Sequence, residues 1–219
     1  MQNKMRSIVS RHKYSLILCL FFAFFYVLPL LFANVYFTDD MRRSLTGLGW
    51  RYDGRHFASF LMSKLTGGGR ISDFFPYSTI LAAFLFALSG YIVSLVVGLE
   101  KNVKFKVSSL ILLINPFLLE NLSYRWDSIP MAVSVLAVIV PFLFMSSVYK
   151  FIIFSVIGIC ITLFTYQASV VIYPLMVLVV LVGYSINRKK MKDSLNLLKL
   201  SVFSAVVALV LYKLLSLAL

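Results

Sequence analysis

The sequence predicts an all-α, polytopic transmembrane helix bundle of about seven helices. Two observations support this fold class. Of the 219 residues, 61% are hydrophobic and only 13% are charged, whereas soluble domains carry far more charge. Several apolar runs are also long enough to cross a hydrocarbon core of about 30 Å. We therefore expect one membrane-embedded domain, residues 1–219.

Six apolar runs, in chain order, define the helices. The fifth contains 36 residues, which is too long for one span at a rise of about 1.5 Å per residue. We divide it at Tyr166 and Gln167, the expected tip of a hairpin; the alternative is a polar pair inside the bundle. Asn115 and Pro116 interrupt the short third run. The runs cover residues 14–36, 76–98, 107–122, 129–149, 151–186 and 195–219.

The distribution of Lys and Arg predicts the orientation of the helices. Four basic residues precede the first run, so the N-terminus is expected to be cytoplasmic. With alternating spans, the cytoplasmic segments carry twelve basic and two acidic residues, and the exterior segments carry seven and six. The net charge of +13 thus reflects membrane topology rather than a nucleic-acid surface.

The first exterior segment, residues 37–75, is the only long polar insertion. A short helix is predicted within it, which either lies in the membrane interface or packs on the bundle. Its apolar stripe is Phe57, Phe60, Leu61 and Leu65, and Ser59, Ser63 and Lys64 are expected to face elsewhere. The glycines at 67, 68 and 69 are expected to form a turn after it.

Asp39 and Asp40 follow the first apolar run directly. Acidic residues beside a bilayer are costly, yet six of the eight in this chain lie in exterior segments. A carboxylate held at a helix end can act as a general base on a substrate hydroxyl. Adjacent side chains point in different directions, so we expect only one of the two to react. The alternative is a solvated ion-pair cluster with Arg42 and Arg43.

Three exterior arginines, Arg42, Arg43 and Arg125, are candidate ligands of a donor phosphate. Guanidinium groups bind phosphate oxygens in pairs and stabilise the charge of a departing phosphate, and a lipid carrier is the natural source of an exterior phosphate. The alternative for Arg125 is a salt bridge with Asp127 or Glu120.

Exterior aromatic residues are candidates for stacking on a sugar ring, and an interfacial aromatic belt is the alternative. They are Tyr36, Trp50, Tyr52, Tyr124 and Trp126. Before the fourth run, Ser128 or Asp127 is expected to cap the helix, with Pro130 in its first turn. The predicted substrate contacts are Trp50, Arg51, Asp53, Glu120, Tyr124, Trp126 and Asp127.

No metal site is predicted from the sequence. Cys19 and Cys160 lie in apolar runs and are expected to be core residues. His56 is the only histidine in the exterior segments, and a zinc site needs several such ligands together.

Five segments together resemble the serotype-converting O-antigen glucosyltransferase family, type II (Gtr), and the resemblance runs through nearly the whole chain. Members of that family are similar to the GT-C class of integral-membrane glycosyltransferases, which transfer a sugar from a polyprenyl phosphate to a glycan on the exterior face. The segments are Tyr36-Phe37-Thr38-Asp39-Asp40, Gly49-Trp50-Arg51-Tyr52-Asp53-Gly54-Arg55, Asn115-Pro116-Phe117, Tyr124-Arg125-Trp126-Asp127-Ser128 and Tyr166-Gln167.

The resemblance implies transfer of glucose from undecaprenyl phosphate glucose to O-antigen (lipopolysaccharide) at the periplasmic face of the bacterial inner membrane. It places the catalytic acid just beyond the first helix, where this sequence has Asp39 and Asp40. It also implies a single displacement with inversion, with arginines on the donor phosphate and no cofactor. The implied partners are the bilayer, the donor, the glycan acceptor, and membrane proteins that synthesise and flip the donor.

Family members are generally much longer, so we expect this chain to be an N-terminal part that is inactive alone. Two other functions remain open. A flippase for lipid-linked sugars would need polar residues through the bilayer centre and an inverted repeat, and neither is visible in the sequence. The other is a non-catalytic, truncated membrane remnant.

Overall fold

The computed structural model describes residues 2–98, 110, 114–188 and 190–218, and it confirms the all-helical class: the described residues contain no strand. Short 3-10 helices lie at Arg51–Asp53, Val140–Phe144 and Gln167–Val171. The α-helices are α1 (Gln2–Ala33), α2 (Thr38–Thr46), α3 (His56–Leu65), α4 (Tyr77–Val97), α5 (Pro116–Ser123), α6 (Ser128–Ile139), α7 (Val148–Thr165), α8 (Ile172–Ile186) and α9 (Met191–Ala218).

Five segments of the described chain are long and apolar enough to cross a membrane, which agrees with the predicted polytopic bundle. A shorter apolar helix, Ser128–Phe144, combines α6 with its 3-10 extension. Six of the sixteen residues of the predicted run 107–122 lie outside the described residues, and α5 covers its end. The five segments are Leu16–Ala33, Tyr77–Val97, Val148–Thr165, Gln167–Ile186 and Met191–Ala218.

The long helices pack in a row, α1 on α4, α4 on α6, α6 on α7, and α7 on α9, and α8 packs against α6 and α9. Aromatic side chains fill the middle of this arrangement: the Phe142 ring lies 5.6 Å from Phe151 and 5.5 Å from Tyr173. Large apolar residues also face outward, among them Phe21 and Phe25 on α1. Outward apolar faces on helices of this length are typical of a protein surrounded by lipid.

Two predicted boundaries have different outcomes. The division at Tyr166 and Gln167 is confirmed, because α7 ends at Thr165 and a 3-10 helix leads into α8. The prediction of one helix over residues 129–149 is wrong. After α6 the chain tightens into the 3-10 helix that contains Pro141, whose missing N–H cannot continue an α-helix, and Tyr149 belongs to α7.

The predicted short helix of the exterior segment is confirmed as α3. The apolar stripe is divided: Phe60 and Leu65 are exposed, whereas Leu61 packs against the buried core. The helix therefore rests on the bundle and also presents apolar side chains outward. Ser59, which was expected to lie off the apolar stripe, is buried, and its Oγ accepts the Trp50 N–H at 2.7 Å. The glycines at 67, 68 and 69 have positive φ and form the expected turn.

Candidate active site

A second helix in the exterior segment, α2, follows α1 after only four residues and was not predicted. Asp39 and Asp40 lie in its first turn, where negative charge complements the helix dipole. Asp40 Oδ2 accepts the N–H of Phe37 at 3.2 Å and so caps the helix start. Gly47, with φ of 61°, ends α2 and donates its N–H to the Arg43 carbonyl. The helix therefore holds two acids and two arginines at one end of the bundle.

The two aspartates occupy opposite environments. The Asp39 side chain is 68% exposed, whereas Asp40 is fully buried. The Asp40 carboxylate also accepts the main-chain N–H of Arg125 at 3.0 Å. Burial raises the Asp40 pKa above its usual value, and the backbone hydrogen bonds only partly offset that shift. Asp39 is thus the carboxylate that a substrate can reach.

Asp127 is the buried centre of an ion-pair cluster. It immediately precedes α6, and its side chain is 4% exposed. Its Oδ2 lies 2.9 Å from Arg43 Nη1 and its Oδ1 lies 2.9 Å from Arg55 Nη2. Burial raises the Asp127 pKa, and the two guanidinium charges oppose that shift. The residue occupies the predicted cap position, but its side chain makes no cap hydrogen bond because both oxygens face arginines.

Arg55 was not among the predicted site residues, and it connects this cluster to the membrane helices. Its Nε donates to the carbonyl of Thr165, the last residue of α7. Its guanidinium carbon also lies 5.4 Å from the centre of the Trp50 ring. The guanidinium carbon of Arg43 lies 4.7 Å from the centre of the same ring. Trp50 is fully buried, so its ring contacts these arginines rather than the surface.

Arg125 is fully engaged with the protein. Its Nη2 donates to Asn34 Oδ1 at 2.7 Å, its Nε donates to the Val35 carbonyl at 3.2 Å, and its Nη1 pairs with Asp73 at 3.1 Å. Arg125 therefore does form a salt bridge, as the alternative predicted, but its partner is Asp73 and not Asp127 or Glu120. Asp127 is occupied by other arginines, and Glu120 is exposed on α5.

An open cleft of about 300 Å³ lies beside α2. Asp39, Arg42 and Arg43 line it from the helix, and Tyr52, which is 97% exposed, and Asp53 line it from the loop. The cleft thus carries two carboxylates and two guanidinium groups. A carboxylate can take a proton from a hydroxyl, and guanidinium groups can bind an anion.

Of the remaining predicted site residues, Arg51 lines a second cleft, whereas Trp126 and Tyr124 pack against other aromatic rings. Arg51 lines a neighbouring cleft of about 470 Å³, with Tyr52 in the wall between the two. Trp126 is buried and its ring lies 5.8 Å from Tyr36. The Tyr124 ring packs 4.7 Å from Phe37, and burial together with the nearby negative charges raises the Tyr124 pKa.

Positive charge at the cleft comes from arginine. Within the described part of the chain, no group of three or more His, Cys, Asp or Glu side chains is arranged to hold a metal ion. The expectation that no cofactor is used stays a prediction.

Comparison with known proteins identifies the family of this chain. The family model described as glucosyl transferase GtrII matches residues 28–219. An uncharacterized 55.3 kDa protein in the gtrB 5' region of Salmonella phage P22 is 35% identical over 114 residues. The match covers 52% of this chain and 24% of that relative, so the chain aligns with about a quarter of the longer protein. No solved structure matches. Because the family model covers most of its length, the chain belongs to the GtrII glucosyl transferase family.

Proposed function

We propose that this chain forms the donor-side part of a membrane glucosyltransferase that moves glucose from undecaprenyl phosphate glucose to O-antigen on the periplasmic face, and so converts the serotype. The observation that carries the proposal is the cleft beside α2, where the exposed Asp39 carboxylate and the arginines at 42 and 43 face one space. Membership of the glucosyl transferase family supports the sugar-transfer chemistry.

In this proposal Asp39 is the general base. It accepts the proton of an acceptor hydroxyl as that oxygen forms a bond to the anomeric carbon of glucose. The bond from that carbon to the phosphate oxygen breaks in the same step, with inversion, and its electron pair leaves on undecaprenyl phosphate. Arg42 and Arg43 stabilise the departing phosphate through charge-assisted hydrogen bonds.

Asp40 and Asp127 act as positioning residues in this scheme. Asp40 is buried and caps α2, so it orients the helix that carries Asp39. Asp127 holds Arg43 at 2.9 Å. A guanidinium group fixed in this way loses less rotamer freedom when it binds a phosphate. Arg42 is exposed at the cleft and supplies a second, more adaptable contact.

Arg125 is assigned a supporting role instead of a phosphate contact. Its donors are directed at Asn34, Val35 and Asp73. A phosphate would have to displace these partners to reach the guanidinium group, whereas Arg42 offers exposed donors at the cleft. The proposal therefore places the donor phosphate at α2.

The placement in the inner membrane with a cytoplasmic N-terminus is supported by the charge distribution. Twelve of the basic residues fall in segments assigned to the cytoplasm, against two acidic residues. The cleft, α2 and α3 then lie on the periplasmic side, together with the ends of α7 and α9. Donor-synthesising and flipping membrane proteins would supply the lipid-linked glucose to that side.

The experiment uses inside-out and right-side-out membrane vesicles from cells that express the complete gene. Undecaprenyl phosphate glucose with a labelled sugar is supplied together with O-antigen acceptor, and labelled glycan is measured. We expect transfer only where donor and acceptor are on the periplasmic face, with the anomeric configuration inverted in the product. Movement of the labelled donor across the membrane without labelled glycan would contradict the proposal and favour a flippase.

A further inference from the structure

The second cleft, of about 470 Å³, lies between the end of α2, one face of α3 and the glycine turn that follows α3. This volume is in the range of sites that bind small molecules. None of the described residues that line it is acidic, whereas the Asp39 cleft beside α2 contains two carboxylates. Its polar side chains are two guanidinium groups and three hydroxyls, those of Arg51, Arg70, Tyr52, Ser59 and Ser63.

The two arginines of the second cleft are available to a ligand. Arg51 and Arg70 are exposed, and among the residues that the structure describes neither guanidinium group forms an ion pair. In contrast, Arg43, Arg55 and Arg125 each pair with an aspartate. Two uncompensated guanidinium groups at one cleft attract an anion and can hold it through paired N–H donors.

Backbone contacts hold the walls of the second cleft in place. A Cβ added at Gly47 would lie 3.1 Å from Arg70 Cβ and 3.6 Å from its Cδ, so the stem of Arg70 runs along the glycine. The Ile71 N–H donates to the Gly47 carbonyl at 3.1 Å and ties the turn to the end of α2. On the opposite side, Ser59 Oγ accepts the Trp50 N–H at 2.7 Å. A cleft with fixed walls loses less entropy when a ligand binds.

The second cleft and the Asp39 cleft share a wall. Leu48, Gly49 and Tyr52 line both of them. The Tyr52 side chain is 97% exposed, and an aromatic ring in this position offers an apolar face with a polar tip. A molecule bound in the second cleft can therefore contact Tyr52 and extend past it toward Asp39.

We propose that the second cleft binds an acidic sugar of the acceptor glycan, with Arg51 and Arg70 on its carboxylate or phosphate group and Tyr52 against its ring. The inference rests on the proposed function, which it deepens by assigning part of the acceptor site to this chain. In an in-line displacement the acceptor oxygen approaches from the side opposite the departing phosphate. The rest of the acceptor must then leave the Asp39 cleft by another opening, and the shared wall at Tyr52 provides one.

The second cleft selects the acceptor and takes no part in the reaction. No carboxylate of the described residues lines it, so it offers no general base of the kind that Asp39 supplies next to it. A neutral glycan would give the two guanidinium groups only hydroxyl acceptors. Hydrogen bonds between a guanidinium group and an anion are about twice as strong as neutral ones, so the cleft favours an acidic sugar over its neutral counterpart.

Direct binding tests the site without requiring transfer. The chain is placed in phosphatidylcholine nanodiscs, and Kd values are measured by NMR titration. Two pairs of probes differ only in charge: trigalacturonate with its carboxyl-reduced form, and galactose 6-phosphate with galactose. Glycerol 3-phosphate supplies an anion without a sugar ring. The variants are Arg51→Gln and Arg70→Gln, and the matched control is Lys64→Gln, an exposed cation on α3 outside the lining of both clefts. Thermal unfolding checks that each variant is folded.

We expect at least one acidic probe to bind about ten-fold more tightly than its neutral counterpart, and the pair that discriminates identifies the charge as carboxylate or phosphate. Arg51→Gln and Arg70→Gln should each reduce this preference to within about two-fold, whereas Lys64→Gln should keep it. Equal binding of acidic and neutral probes, or a preference that persists in folded Arg51→Gln, would overturn the inference. Glycerol 3-phosphate binding as tightly as the acidic sugars would identify a general anion or lipid-headgroup site and would also overturn it.

A kinetic comparison separates this inference from the proposed function. With the complete gene product, the KM for the acceptor should rise about ten-fold in Arg51→Gln, with kcat and the KM for the donor changed much less, and it should stay constant in Lys64→Gln. An unchanged acceptor KM in Arg51→Gln with active transfer would overturn the assignment of the second cleft alone. Absence of glucose transfer in the wild type would contradict the proposed function, and the binding measurements would still decide the second cleft.

Discussion

The main-chain N–H of Arg125 donates a hydrogen bond to the Asp40 carboxylate at 3.0 Å, although the two residues lie 85 positions apart in the chain. The same carboxylate oxygen accepts the N–H of Phe37 at the start of α2. Asp40 therefore joins α2 to the link between α5 and α6. This anchoring fixes the orientation of the helix and turns Asp39 toward the open cleft.

The pH dependence of stability tests the buried state of Asp40. Its folded pKa lies above the usual value, so the stability that it contributes is fully present below the unfolded pKa and is lost as the pH rises through the folded pKa. The Tm of the wild type in detergent, relative to Asp40→Asn, should thus rise as the pH falls from about 7 to about 4. A difference that falls over this range would show an Asp40 pKa lowered by folding.

Arg125→Ala should destabilise the fold. The change removes hydrogen bonds to Asn34 and Val35 and the ion pair with the partly exposed Asp73, which should cost about 2 kcal/mol. Thermal unfolding in detergent measures the effect. The control is Arg70→Ala at an exposed position, which should change stability by no more than about 0.5 kcal/mol. Equal stability of both variants would contradict the structural role of Arg125.

Gly158→Ala should loosen the contact between α6 and α7. A Cβ at this position would overlap the carbonyl oxygen of Ala137 on the neighbouring helix, and backbone cannot move aside as a flexible side chain does. The expected cost is about 1–3 kcal/mol. Gly183→Ala on α8 is the matched control, since nothing lies within 4 Å of its added Cβ. Comparable Tm values for the two variants would argue against this close packing.

Much of the architecture could be predicted because long apolar runs have few alternatives to membrane helices. The hairpin break at Tyr166 and Gln167 was found because one run was too long to cross the membrane once. The resemblance to the glucosyltransferase family is likewise confirmed by the match over residues 28–219. The position of Asp39 and Asp40 beyond the first helix followed from the same reasoning.

The internal geometry of the site could not be predicted. α2 is short and has only two large apolar residues, Met41 and Leu45, so no long apolar run indicated it, and without that helix the directions of Asp39 and Asp40 cannot be assigned. The Arg55 and Asp127 pair is separated by many residues, and long-range ion pairs have no local sequence signal. The nearly equal numbers of basic and acidic residues in the exterior segments were the one indication that arginines there would be paired.

Asp127→Asn should weaken donor binding more than the chemical step. Removing the charge frees Arg43 and Arg55 from their shared partner, so the phosphate ligand is no longer held in place. We expect the KM for the lipid donor to rise about ten-fold, equivalent to about 1.4 kcal/mol, with kcat changed much less. Asp193→Asn is the control. Asp193 lies in the first turn of α9, in a segment assigned to the cytoplasm, so this change should leave KM unchanged. A fall in kcat at constant KM would instead indicate a direct role in the reaction.

Asp39→Asn and Asp40→Asn, compared by kcat in the complete gene product with both substrates saturating, provide the most direct test of the account. Since a general base contributes about 10²–10⁴-fold, Asp39→Asn should lose activity by about 10³-fold while keeping the wild-type Tm. Asp40→Asn should retain kcat within about ten-fold, because its carboxylate is buried away from the cleft. Wild-type turnover in Asp39→Asn, or a loss confined to Asp40→Asn, would contradict the assignment of Asp39 as the base.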